Sequence, residues 1–148
     1  MSKAAEVPFE TTRLVRDACL CLHLQRASRA LARRFDDAFR PLGLTSGQYS
    51  MMMALNRPAP PRIGQVASVL AMDRTTLTAA LKPLQRRGLV SVMVDPDDRR
   101  SRRLRLTAAG RALLARAVPV WRATHAEIDR LLPPAGAKRL RRDLRALT

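Results

Sequence analysis

Only two cysteines, Cys19 and Cys21, occur in the 148 residues. They are too few for a disulfide framework, and without a clustered histidine or acidic partner they make no zinc site. Long apolar runs are missing as well. No segment is long enough to span a bilayer, and Met1 to Thr12, which carries Lys3, Glu6, Pro8 and Glu10, lacks the apolar core of a signal peptide. The expectation is a cytoplasmic protein with no membrane partner. The chain also has no glycine-rich phosphate loop, no paired carboxylates on one predicted face, and no nucleophile with a base and an orienting group. An enzyme is therefore not expected, nor a metal or other cofactor. Internal repeats and low-complexity linkers are absent too.

Acidic residues are scarce: 12 Asp and Glu stand against 28 Lys and Arg, a formal charge of +16. Such an excess implies an anionic partner, nucleic acid ahead of an acidic membrane surface, although solvated helix faces account for it equally well at many positions. What the chain does have is apolar content. At 47% hydrophobic residues it can bury a real core, as one compact domain or a small domain with helical extensions.

Periodicity divides the sequence. Leu14, Ala18, Cys21, Leu24, Ser28, Leu31, Phe35 and Ala38 recur at three- and four-residue steps, which predicts one long amphipathic helix over 13–40 after a loose start at 1–12. It should end near Arg40-Pro41-Leu42-Gly43. Thr45 and Gln48 have capping-box spacing, with Leu44 and Tyr49 as a hydrophobic staple, and open a helix through Leu55. After the proline-rich Asn56 to Pro61, residues Ile63, Val66, Ala67 and Leu70 mark a short helix. Asp73 caps the next, whose buried stripe is Leu77, Leu81 and Leu84 and whose left-handed ending falls at Gly88, with Leu89 packing on Leu84. Pro83 should bend that helix without breaking it.

Val90, Val92 and Val94, then Leu104 and Leu106, alternate with polar or basic residues on either side of Asp95-Pro96-Asp97-Asp98, the pattern of a basic hairpin. Thr107 can cap a further helix with apolar positions from Leu113 to Leu131, bent at Pro119. A last helix carries Leu140, Leu144 and Leu147 among Lys138, Arg139, Arg141, Arg142 and Arg145. Two short helices joined near Ala71-Met72 and followed by a hairpin have the order of a winged helix-turn-helix. The fold class expected is mainly α with a small β-hairpin wing: a winged module at 45–107, flanked by dimerisation helices at 13–40 and 108–148, all in one domain. Long flanking helices with apolar faces need a second copy, which implies a homodimer on a palindromic operator of double-stranded DNA.

Three stretches carry a resemblance: Leu42-Gly43-Leu44-Thr45 with Gln48, MDRTTLTAALKPLQRRGLV, and DPDDRRSRRLRLTAAG. In this order, and with these flanking helices, the chain resembles the MarR family of bacterial transcriptional regulators from about Cys21 onward. It departs at Gln85, where an acidic residue is common, and at Arg62, where a serine or threonine more usually caps the helix. The resemblance implies a dimeric regulator, most commonly a repressor, whose DNA affinity changes when a small aromatic or lipophilic effector binds between the dimerisation helices and the winged module.

By matching positions, Arg74, Thr75, Thr76 and Thr78 would face the major groove, while Lys82, Arg86 and Arg87 would hold phosphates or remain solvated. Thr75 and Thr76 can alternatively serve only the helix cap. In the wing, Arg100 matches a minor-groove tip arginine, Arg99 and Arg102 are its neighbours on the DNA backbone, and Asp98 is similar to an acidic residue that orients them. Effector candidates are His23, Met52, Met53, Trp121 and His125, for which a core or surface role stays open. Cys21 falls near the reactive cysteine of the family's hydroperoxide-sensing branch, so a thiol-based redox sensor is one alternative, with buried structural thiols set against it. A non-specific nucleoid or RNA-binding protein is the other.

Overall fold

The computed structural model describes residues 6–148. Helices α1 (Phe9–Ala18) and α2 (Leu20–Phe39) lead through a 3-10 turn at Arg40–Leu42 to α3 (Ser46–Leu55), α4 (Ile63–Val69) and α5 (Arg74–Arg86). Strands β1 (Val90–Val94) and β2 (Arg102–Leu106) follow, then α6 (Ala108–Asp129) and α7 (Gly136–Arg145). The strands pair antiparallel, with Val90 opposite Leu106 and Val94 opposite Arg102. This is the mainly helical architecture with one hairpin that the sequence predicts.

The N-terminal helix differs from expectation in two ways. Residues 9–12 are helical where a loose start is expected, residues 1–5 lying outside those described, and the single helix over 13–40 is two helices that meet at Cys19. Cys19 is extended (φ −73°, ψ 107°); its N–H still donates to Val15 O at 3.0 Å while its own carbonyl receives the His23 N–H at 3.1 Å. One residue thus ends α1 and starts α2. No proline or glycine announces the break, and α1 buries none of its residues against the rest of the chain.

The local signals for the winged module are all met by short-range bonds. Gln48 N–H donates to Thr45 Oγ1 and Thr45 N–H to Gln48 Oε1, both at 3.1 Å, which closes the capping box of α3. Between α4 and α5 the tight turn places Ala71 at φ 51°. The left-handed Gly88 (φ 68°) ends α5, with Leu89 N–H donating to Leu84 O at 3.0 Å, and α5 runs on through Pro83.

The core gathers Phe39, Met52, Leu77, Leu81, Leu84 and Leu104 between α2, the winged module and the first half of α6. Stacking of Phe39 on Tyr49, ring centroids 4.7 Å apart, fastens α2 to α3. The start of α6 is fastened just as closely. Thr107 Oγ1 accepts from Gly110 N–H at 3.0 Å and donates to Gly88 O at 2.6 Å, so one hydroxyl caps α6 and ties it to the end of α5.

Candidate nucleic-acid interface

Helix α5 is two-faced because its leucines at 77, 81 and 84 are buried, leaving Thr75, Ala79, Lys82 and Arg86 on the opposite, exposed side. Thr76 and Thr78 flank that side. Asp73 caps the helix by accepting the Thr76 N–H at 2.8 Å and the Thr76 hydroxyl at 2.6 Å, and these two bonds hold its carboxyl below the usual carboxylate range. The Thr78 hydroxyl donates to Arg74 O at 2.7 Å. Both hydroxyl protons are therefore spent inside the helix, and what Thr76 and Thr78 offer outward is a lone pair and a methyl group. Thr75 is different: its hydroxyl has no partner among the described residues, and it is free to donate or accept.

Two basic residues at the ends of the helix, though exposed, lie against neighbouring segments. Arg74 lies across Gly64 of α4, so near that a Cβ on Gly64 would sit 2.8 Å from its Nη2. Arg87, at the far end, donates through Nη1 to Gly43 O at 2.6 Å. The expectation that Arg87 holds phosphate meets an existing structural partner.

The wing is organised by a residue that sequence reasoning missed. The Asp95 side chain is fully buried; one oxygen accepts from Arg62 Nε at 2.6 Å and is ion-paired with Arg103, whose Nε lies 3.1 Å away, while its other oxygen accepts the Asp97 N–H at 3.0 Å. These groups, Arg103 foremost, hold its carboxyl down to about 2 against the opposing effect of burial. The acid expected to orient the tip arginines, Asp98, instead accepts the backbone N–H of Arg100 at 3.0 Å and so shapes the loop without pairing a guanidinium. Arg99, Arg100 and Arg102 are exposed; Arg102 Nη1 donates to the carbonyls of Arg99 at 3.0 Å and Ser101 at 3.1 Å.

Between the wing and the starts of α4 and α5 lies an open cleft of about 540 Å³, whose walls include Arg62, Arg74, Arg100 and Arg102 against the single acid Asp98. Four arginines against one acid on its walls make this concavity beside α5 electropositive. A polyanion running along α5 would meet it.

A second concavity, about 600 Å³, lies between α3, the end of α4 and α6 and is lined by Tyr49, Met53, Val69, Leu70, Val118 and Trp121, with Arg57 and Arg122 at its polar side. Of the expected effector residues, Met53 and Trp121 come together here. Met52 does not: it faces the other way from α3 and is fully buried in the core. His23 is exposed on α2 with its Nδ1 2.8 Å from Cys19 O, and His125 sits beyond the concavity, its ring tilted against Trp121 with centroids 4.9 Å apart and its Nδ1 3.5 Å from Asp129. Neither thiol is buried as a structural cysteine would be. Cys21 is exposed and accepts a contact from Gln25 Nε2 at 3.4 Å, and Cys19 is half-buried.

Residues 44–101 match the family model described as the MarR family. Among solved structures, the chain is similar to the Mycobacterium tuberculosis transcriptional regulator MosR in complex with DNA, at 39% identity and a TM-score of 0.79 over 87% of this chain and 92% of that one. It is also similar to the transcriptional repressor CouR bound to a 23-mer DNA duplex, at 28% identity and a TM-score of 0.80 over 97% and 99% of the two chains. The transcriptional activatory protein BadR of Rhodopseudomonas palustris is 33% identical over 95 residues, which are 62% of this chain and 54% of BadR. The chain spans about half the length of the first curated relatives it matches.

Proposed function

Because the chain belongs to the MarR family of transcriptional regulators, we propose that it acts as a dimer that binds a palindromic double-stranded DNA operator in a sequence-specific manner and is released by a small ligand. One observation carries this reading: the exposed Thr75 face of α5 and the four-arginine cleft lie side by side, so base edges and phosphates are met together. Arg100 at the wing tip probes the minor groove, and Lys82 and Arg86 contact the backbone. Repression is the mode adopted, as in CouR, a repressor that aligns over nearly the whole chain.

The second copy follows from what one copy leaves uncovered. Leu14, Val15, Leu20, Leu24 and Leu31 on α1 and α2, and Leu140 and Leu147 at the C-terminal end, are exposed large apolar groups on the helices that flank the winged module. Two-fold pairing through them spaces the two α5 helices by about one turn of DNA, ~34 Å. The effector sits in the concavity of Met53 and Trp121, whose apolar walls suit an aromatic or lipophilic molecule.

Selection of bound duplexes from random DNA tests both halves. A palindromic motif should emerge, and the same selection with phenolic or carboxylate ligands should weaken its recovery; enrichment of no motif would mean a non-specific binder. Trp121 is the chain's single tryptophan. A ligand that releases DNA should therefore change its fluorescence, and release without such a change would move the effector elsewhere.

A further inference from the structure

Arg62 occupies the N-cap position of α4, yet its side chain does not cap the helix. Gln65 does that work, accepting the Arg62 N–H through Oε1 at 2.9 Å. The guanidinium is held elsewhere, by Asp95, 33 residues away. Asp95 is shared with Arg103, which is also engaged by Asp97 Oδ2 at 3.3 Å and Pro60 O at 3.5 Å. Two cations thus share one buried carboxylate, and Asp97 supplies a second acid to Arg103 but none to Arg62. Arg103 is 23% exposed and turned inward, while Arg62 is 45% exposed and bonded only through Nε among the described residues.

We propose that Arg62 is a phosphate-contacting residue, fixed by Asp95 so that its two remaining nitrogens seat a backbone phosphodiester in the cleft between wing and α5. The inference rests on the DNA-binding reading above and adds to it a residue outside both the recognition helix and the wing. The chemistry favours phosphate because several donors converge. Arg62 enters from one wall, Arg74 from another along Gly64, and Arg100 from the wing. A tetrahedral anion with several acceptor oxygens satisfies donors from different directions at once. Asp98, the one acid on the walls, has an oxygen committed to the Arg100 N–H. Gly64 belongs to the same device, since a side chain there would displace Arg74.

The test uses a duplex that the wild-type chain selects from a random pool, titrated at several salt concentrations with wild type, Arg62→Gln and Arg62→Lys. Arg62→Gln should weaken binding about tenfold, equally on selected and unrelated duplexes. It should also lower the slope of log affinity against log salt by about 1 per bound subunit, whereas Arg62→Lys keeps the slope. Neutral methylphosphonates placed singly along the duplex should reveal one position that weakens wild type but not Arg62→Gln. If circular dichroism shows that Arg62→Gln is unfolded, Arg62→Lys decides: weaker binding at an unchanged slope, with a methylphosphonate loss smaller than wild type at one position, supports the seat, and wild-type affinity with wild-type losses at every position overturns it. A folded Arg62→Gln with the wild-type slope, or with losses confined to one base sequence, overturns it too. So does displacement of DNA by inorganic phosphate at constant ionic strength that depends on Arg62 while the slope does not, because the site would then serve a free anion. A wild-type chain that selects no duplex refutes DNA binding itself, a result distinct from all of these.

Discussion

Arg87 and Gly43 are joined across the fold: the arginine Nη1 donates to the glycine carbonyl at 2.6 Å, bridging 44 residues of sequence. Gly43 is left-handed (φ 66°), and its carbonyl points to the end of α5 because of that turn. The contact locks the end of α5 against the corner between α2 and α3. Arg87→Ala should therefore destabilise the fold by about 1 kcal/mol in denaturant titration and leave the salt slope of DNA binding unchanged. Arg86→Ala, which removes an exposed charge with no partner among the described residues, should do the reverse.

The buried Asp95 makes the wing acid-sensitive. Its folded-state value, about 2, lies below the ordinary 3.8, so the stability it contributes is complete above 3.8 and drains away as pH falls toward 2. Amide exchange in β1 and β2 should accelerate over that window before the core is affected. Asp95→Asn should exchange quickly at neutral pH and show little further change on acidification; protection equal to wild type in both conditions would mean that the arginine pair does not hold the wing.

Gly110 lies in the first turn of α6, where alanine would ordinarily raise helix stability by roughly 1 kcal/mol. Here the sign reverses. A Cβ at Gly110 would overlap the carbonyl oxygen of Leu89, which also accepts the Thr107 N–H at 3.1 Å. Gly110→Ala should cost about 2–4 kcal/mol by thermal or chemical denaturation, because the backbone of α6 must move away from Leu89.

Adjacent threonines on α5 should separate stability from recognition. Thr76→Ala removes a hydroxyl bonded to the Asp73 cap and should lower stability by about 1 kcal/mol. Thr75→Ala breaks no side-chain bond among the described residues, so its stability should stay within about 0.5 kcal/mol of wild type. Its effect should appear instead as broadened base preference in selected DNA, at one position of each half-site. Unchanged preference would assign Thr75 to the solvent.

What could be read before folding was local. The box of Thr45 and Gln48, the caps at Asp73 and Thr107, the Gly88 ending and the alternation of the two strands each involve residues within a few positions of one another. Composition likewise pointed to an anionic partner. The break at Cys19 is not legible because the helical stripe runs through it uninterrupted, and the sequence leaves Met52 open between core and concavity because helical spacing cannot say which side of α3 faces the core.

By itself, then, the sequence determined where helices begin and end around the winged module, and that the face of α5 opposite its leucines is polar, since those choices depend on backbone caps and side-chain periodicity. Tertiary structure alone decided which charges are spent and which remain available. Arg62 meets Asp95 across 33 residues and Arg87 meets Gly43 across 44. Arginines of equal charge in the sequence thereby become a wing anchor, a helix lock and a cleft wall. No local rule encodes such pairings, because they exist only once packed leucines have brought distant segments to hydrogen-bonding distance.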